Sequence, residues 1–189
     1  MEVVDVPAAP RSVPSDPGPT GEVADVLGPD IALLLCGINP GQHSGARGRH
    51  FAGPSNRFWP ALHAAGLTPE RFGPDDQDRL PGLGIGITNL VPRTTSRASE
   101  LTREELRAGA ARLLALVDAH RPRVIAVLGI TAFRVAFARP RATIGEQADV
   151  AGPTRWWLLS NPSGLNAHAH PDDHARGLAD AGRAAGRLP

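Results

Sequence analysis

The sequence predicts an α/β fold whose mostly parallel sheet is covered by helices on both faces. Three observations lead there. Short, wholly apolar runs recur along the chain, as in Leu33-Leu34-Leu35-Cys36, Val124-Ile125-Ala126-Val127-Leu128 and Trp156-Trp157-Leu158-Leu159. Unbroken apolar strands of this kind are buried on both faces, as in parallel sheets. Segments with helical spacing alternate with these runs, and each run stops at a turn made by Gly, Asn or Pro. At 189 residues the chain is long enough to bury one full core.

In chain order, residues 1–22 are rich in Pro and poor in large apolar groups, which predicts a flexible tail ahead of a domain over 23–189. Residues 23–27 predict one short helix. The first strand follows, with Cys36 inside it. This single cysteine reads as a core thiol of a reducing compartment and not as a nucleophile. Gly37, Pro40 and Gly41 then shape a turn that carries Asn39. Residues 42–56 read as a Gly- and Arg-rich loop, and loops of that length are usually functional. Phe58, Leu62 and Ala65 share one helical face that Gly66 ends. Residues 83–91 form a Gly-rich second strand, whose glycines do not complete G-x-G-x-x-G.

Thr102-Arg103-Glu104-Glu105 is a capping-box signature. Leu106, Ala110, Leu113, Leu114 and Val117 follow on one face, making a core helix that ends before Pro122. The third strand is 124–128, broken by Gly129 and followed by a short helix over 131–138. The fourth strand is 156–159, and Pro171 opens a last helix that runs to about Gly186.

Composition excludes several chemistries. All 20 basic residues are Arg, and the net charge is +1. Without Lys there is no P-loop, and no Schiff base other than one at the N-terminal amine. No apolar run spans a bilayer and no signal peptide is visible, so a cytoplasmic protein is expected. His168, His170 and His174, with Asp172 and Asp173 between them, match no zinc spacing. Neither a metal nor another cofactor is expected.

The polar groups that remain sit after strands, where α/β sheets bind ligands. Asn39 follows the first strand, and Ser160-Asn161-Pro162-Ser163-Gly164-Leu165-Asn166 follows the fourth. These turns offer amides, hydroxyls and backbone N–H groups, but no carboxylate, Ser–His pair or metal cluster. Such groups suit hydrogen-bond reading of a planar base and the holding of a water. They fit a reaction whose bond breaks largely by itself once the leaving group is supported.

Gly37-Ile38-Asn39-Pro40-Gly41 and Asn161-Pro162-Ser163-Gly164-Leu165 resemble the two signature motifs of the mismatch-specific uracil-DNA and thymine-DNA glycosylase family. Gly53-Pro54-Ser55-Asn56-Arg57-Phe58-Trp59 and Gly86-Ile87-Thr88-Asn89-Leu90-Val91-Pro92-Arg93-Thr94-Thr95 resemble that family too. The four motifs run in family order over about 23–166. The resemblance implies an α/β/α sandwich around a four-stranded sheet. The implied reaction is hydrolysis of the N-glycosidic bond of a uracil flipped out of duplex DNA, above all one opposite guanine. By the same match, Asn39 positions the water, Ile38 supplies backbone and a wall, and Phe51 stacks on the base. Asn56 and Asn89 fall in the pocket, Asn89 at the pyrimidine edge, and Asn161 opens the second loop. Ser163, Gly164, Leu165 and Asn166 fall in the wedge that enters the duplex.

Arg47, Arg49 and Arg57 lie near the expected pocket mouth and read as phosphate contacts. Related wedge loops carry an Arg where this chain has Ala167, so recognition of the widowed guanine is expected to be weaker or taken over by Asn166 or His168. The expected partner is double-stranded DNA, bound by a monomer. Two other readings stay open: a glycosylase of another lesion, such as ethenocytosine, thymine opposite guanine or a deaminated purine, and a module that binds lesions without cutting. A nucleotide-binding protein is disfavoured by the missing Lys and glycine fingerprint.

Overall fold

The computed structural model describes residues 21–164 and 171–189. The tail expected over 1–22 lies almost wholly outside them, as do Leu165, Asn166 and Ala167 of the second loop.

Five strands form one sheet in the order β2-β1-β3-β5-β4. They are β1 (Leu33–Gly37), β2 (Ile85–Asn89), β3 (Val124–Leu128), β4 (Gly145–Gln147) and β5 (Arg155–Leu159). β1 pairs in parallel with β2 and β3, and β3 with β5. The sheet therefore has the mostly parallel character read from the sequence. It carries one strand more than the four expected, since β4 joins the β5 edge antiparallel. Gly145-Glu146-Gln147 holds no large apolar side chain, so nothing in its composition marked it as a strand.

Alternation along the strands divides the core into two layers. Leu33, Leu35, Ile85, Ile87, Val124 and Ala126 face α2 (Phe58–Ala64) and α5 (Pro171–Ala184) on one side of the sheet. Leu34, Cys36, Ile125, Val127 and Leu158 face α3 (Arg103–His120) and α4 (Ile130–Ala136) on the other. Helix α3 begins as its sequence requires. Thr102 Oγ1 accepts from Glu105 N at 3.1 Å, and Glu105 Oε2 accepts from Thr102 N at 2.8 Å. Arg121 in the left-handed region ends it, ahead of Pro122.

Two local expectations fail. Residues 23–27 are not helical. Val26 instead makes an antiparallel bridge to Ile87, with backbone bonds of 2.8 and 2.9 Å. The expected loop over 42–56 starts with a short helix, α1 (Gln42–Arg47), which has too few apolar residues to show a period.

The order of the strands places the crevice. From β1 the chain crosses to β2 on one side, and later to β3 on the other. A reversal of that kind opens a gap beyond the carboxyl ends of the strands. Asn39, Asn89, Gly129, Ser160 and Asn161 all stand at that edge.

Candidate active site

A cleft of about 880 Å³ opens there. Its walls include Ile38, Asn39, Phe51, Asn56, Asn89, Asn161, Ser163 and Gly164. The structure thus brings together every pocket residue expected from the sequence that it describes. It does not bring Arg47, Arg49 or Arg57 to the cleft wall. Arg47 is clamped by Asp75 with two contacts of 2.9 Å, and Arg49 pairs with Asp78 at 2.6 Å. Arg57 stands at the start of α2, where its N–H donates to Pro162 O at 3.0 Å. Among the described residues, the Arg side chains on the wall are Arg97 and Arg103, both exposed.

Asn39 has a defined orientation. Its Nδ2 donates to Thr95 Oγ1 at 2.7 Å and to Arg93 O at 3.0 Å. Arg93 O can only accept. The Thr95 hydroxyl spends its proton on Arg97 O at 2.9 Å, so its oxygen must accept as well. The amide nitrogen therefore faces the 93–97 loop. Oδ1 is left without a hydrogen-bond donor among the described residues. The loop is itself anchored, since Thr95 N donates to Pro40 O at 3.1 Å and Glu105 takes the Arg93 guanidinium through both oxygens. Thr95 was not singled out by sequence reasoning, because its role depends on a contact 56 positions away.

Asn89 is fixed by a different device. His50 Nε2 lies 2.9 Å from Ala24 O, which must be its acceptor, so Nε2 carries the proton. Nδ1 is then a lone pair and accepts from Asn89 Nδ2 at 3.3 Å. Burial holds His50 below the usual imidazole value, with the nearby Arg112 adding in the same sense. Both amide atoms of Asn89 are thereby assigned, with one N–H spent on His50. Arg112 of α3 donates to Asn89 O at 2.9 Å and pairs with Asp25, which also accepts from Thr88 Oγ1. The segment over 23–26 thus supports the floor of the cleft. His50, Asp25 and Arg112 carried no motif in the sequence.

Phe51 is held at φ +52°, a conformation uncommon for a bulky side chain. Its neighbours keep it there. His50 N donates to Gln77 Oε1 at 2.8 Å, Trp59 Nε1 to His50 O at 3.2 Å, and Ala52 N to Ser44 Oγ at 3.0 Å. The Phe51 ring stacks on Phe58 with centroids 3.9 Å apart and planes inclined by 19°. Gly37 admits this packing. A Cβ there would stand 2.5 Å from Asn89 Oδ1 and 3.1 Å from Phe51 Cζ.

Two amides serve local turns. Asn56 Oδ1 accepts from Phe58 N at 2.9 Å, at the first turn of α2, while the residue also lines the cleft. Asn161 Oδ1 accepts from Ser163 N at 3.0 Å and shapes the start of the second loop. One expectation is overturned outright. The second turn does offer a Ser–His pair, because Ser160 Oγ lies 3.2 Å from His174 Nδ1 on α5. Burial pushes the Cys36 thiol well above its ordinary value, as a core thiol requires. Among the described residues no helix is long and apolar enough to cross a membrane.

A cleft of this size at the sheet's switch point, walled by oriented amides and the Phe51 ring, suits a planar, hydrogen-bonding ligand. The comparison with known families is in accord with it. The sequence pattern of the uracil DNA glycosylase superfamily matches residues 24–180, a span that contains the sheet and every residue of the cleft wall. The chain belongs to the uracil DNA glycosylase superfamily, a group of hydrolases that act on DNA.

Proposed function

We propose that residues 23–189 form a monofunctional glycosylase that removes uracil from G·U mismatches in duplex DNA. The observation that carries this reading is the fixed amide of Asn39, whose Oδ1 is left for the proton of a water. As the N-glycosidic bond breaks, the electron pair leaves with the base and the sugar becomes oxocarbenium-like. A water held in place then adds to C1′ without a strong base, and the proton it releases goes to the departed uracil anion or to solvent. No carboxylate lies on the cleft wall among the described residues. The Asn39 water supplies the attack, and the departing anion needs support only from N–H and O–H donors.

Preference for uracil follows from Asn89. With one N–H spent on His50, it keeps a second N–H and Oδ1. That donor and acceptor match the O4 and N3–H of uracil. Cytosine presents the reverse pattern and would leave buried polar groups unpaired. Phe51, backed by Phe58, offers a rigid ring for the base to stack on. Preference for a mismatch follows from the cost of flipping, which is least where pairing is already weak. Leu165 and Asn166, outside the described residues, would fill the vacated space.

The chain has no Lys. Lyase chemistry through a Lys Schiff base is therefore closed, and the product is an abasic site.

A cleavage panel tests this. Labelled duplexes carrying uracil, thymine, ethenocytosine or hypoxanthine opposite G or A are incubated with the protein and treated with alkali. Strand scission at uracil opposite G, ahead of the others, is the expected result. Scission first at hypoxanthine would favour a deaminated-purine enzyme, and binding without scission anywhere would favour a non-catalytic module.

A further inference from the structure

Ser160 and His174 form a pair to which neither the Asn39 water nor the Asn89 amide gives a role. His174 is 3% exposed. Its Nδ1 meets Ser160 Oγ at 3.2 Å, and its Nε2 is buried without a hydrogen-bond partner among the described residues. Ser160 follows β5 directly and lines the cleft beside Asn161.

Two arrangements of protons satisfy the 3.2 Å contact. In the first, Ser160 donates to Nδ1, and the imidazole proton sits on the orphaned Nε2. In the second, Nδ1–H donates to Ser160 Oγ, and Nε2 is a bare lone pair. A buried N–H with no acceptor is the rarer and costlier defect. Burial lowers the pKa of His174 and the positive charge of Arg57 acts in the same sense, while Asp173 opposes them. The second arrangement is therefore favoured. It has a consequence for Ser160, because the hydroxyl then accepts from His174 and its own proton has no acceptor among the described residues.

We propose that Ser160 is a further binding residue whose hydroxyl, oriented by His174, donates to an anionic oxygen of the nucleotide in the cleft. The proposal rests on the glycosylase reading and deepens it. Two oxygens on such a substrate have the required chemistry: O2 of the departing pyrimidine, which gains charge as the bond breaks, and a phosphate oxygen flanking the extruded nucleotide. His174 is a positioning residue, since it acts only through Ser160.

The test uses the full chain and four proteins: parent, Ser160→Ala, His174→Leu and His174→Asn. The Asn side chain places an N–H near the position of Nδ1–H, and the Leu side chain does not. Thermal unfolding first establishes that each variant is folded. Single-turnover excision is measured on G·U duplex and on the same duplex with 5-fluorouracil, a better leaving group. Affinity is measured on an abasic duplex.

Loss of a hydrogen bond to a charged oxygen is expected to cost about tenfold to a hundredfold in Ser160→Ala. If the acceptor is O2, the loss appears in the uracil rate, shrinks with 5-fluorouracil and leaves abasic affinity unchanged. If it is a phosphate, both bases lose equally and abasic affinity falls. His174→Leu should reproduce Ser160→Ala, and His174→Asn should recover most of the parent value. A Ser160→Ala protein within about twofold of the parent in both rate and affinity overturns the proposal. Equal impairment of the two folded His174 variants overturns the orienting role. Should the parent cut no duplex at all, the glycosylase reading fails and the O2 role falls with it, and an abasic affinity unchanged in Ser160→Ala then overturns the phosphate role as well. Should His174→Leu not fold, Ser160→Ala and His174→Asn carry the same decision.

Discussion

His50 performs a task that its type alone does not announce. It accepts one proton of Asn89 and gives its own to Ala24 O, so the Asn89 amide cannot turn over without breaking both contacts. This arrangement needs a neutral ring. In the unfolded chain the imidazole takes up its proton near its usual value of 6.5, whereas burial lowers that value in the fold. The unfolded state therefore binds more protons as the pH falls below about 6.5, and folding stability declines from there toward the lower folded value. His174, also lowered by burial, acts with the same sign. Urea midpoints measured at about pH 7.5 and about pH 5 should show the lower stability at the acid end. In His50→Gln that difference should be smaller; an unchanged difference would mean that His50 titrates alike in both states. At this scale the sequence was only half legible. Asn39 and Asn89 stand in recognisable turns, whereas Thr95, His50 and Ser160 acquire roles only through contacts with distant segments.

Among the elements, β1 and β2 bear directly on the site, because they bring Asn39 and Asn89 to neighbouring strand ends. Their register aligns Gly37 with Asn89, and the pairing runs on past the strands through Leu90 N to Gly37 O at 2.8 Å and Val91 N to Ile38 O at 2.9 Å. Gly37 is a requirement of this junction, since any Cβ there collides with the Asn89 amide and presses on the Phe51 ring. Gly37→Ala should cost roughly 1–3 kcal/mol of stability through overpacking and should slow excision by displacing both groups. Denaturant unfolding together with a single-turnover rate would check it, and a variant with parental values in both would contradict the close-packing account. The elements legible in advance were those with strong local signals: the apolar runs of β1, β3 and β5, and the capping box with the apolar stripe of α3. Helix α1 and strand β4 were not. The first opens on Gln42-His43-Ser44-Gly45 and the second is Gly145-Glu146-Gln147, so neither has a periodic apolar face and both exist through tertiary support.

Taken whole, the molecule is almost neutral yet belongs to a superfamily that acts on a polyanion. Charge placement reconciles the two. Many of its Arg residues are matched by carboxylates on the surface, Arg47 and Arg49 among them, and such exposed pairs contribute little to stability. Arg97 and Arg103 instead stand on the cleft wall. Affinity for duplex should fall as salt rises, and Arg97→Gln with Arg103→Gln should flatten the logarithmic slope by about one for each phosphate no longer neutralised. A parent slope near zero would exclude phosphate binding by these groups. In the proposed reaction, the fixed Asn39 amide at the end of β1 holds a water against the sugar of an extruded base. The most direct measurement compares parent and Asn39→Ala on one G·U duplex, taking the single-turnover excision rate and the dissociation constant together. The account predicts a rate at least about a hundredfold lower with affinity nearly unchanged. An Asn39→Ala protein that excises uracil at the parental rate would contradict it.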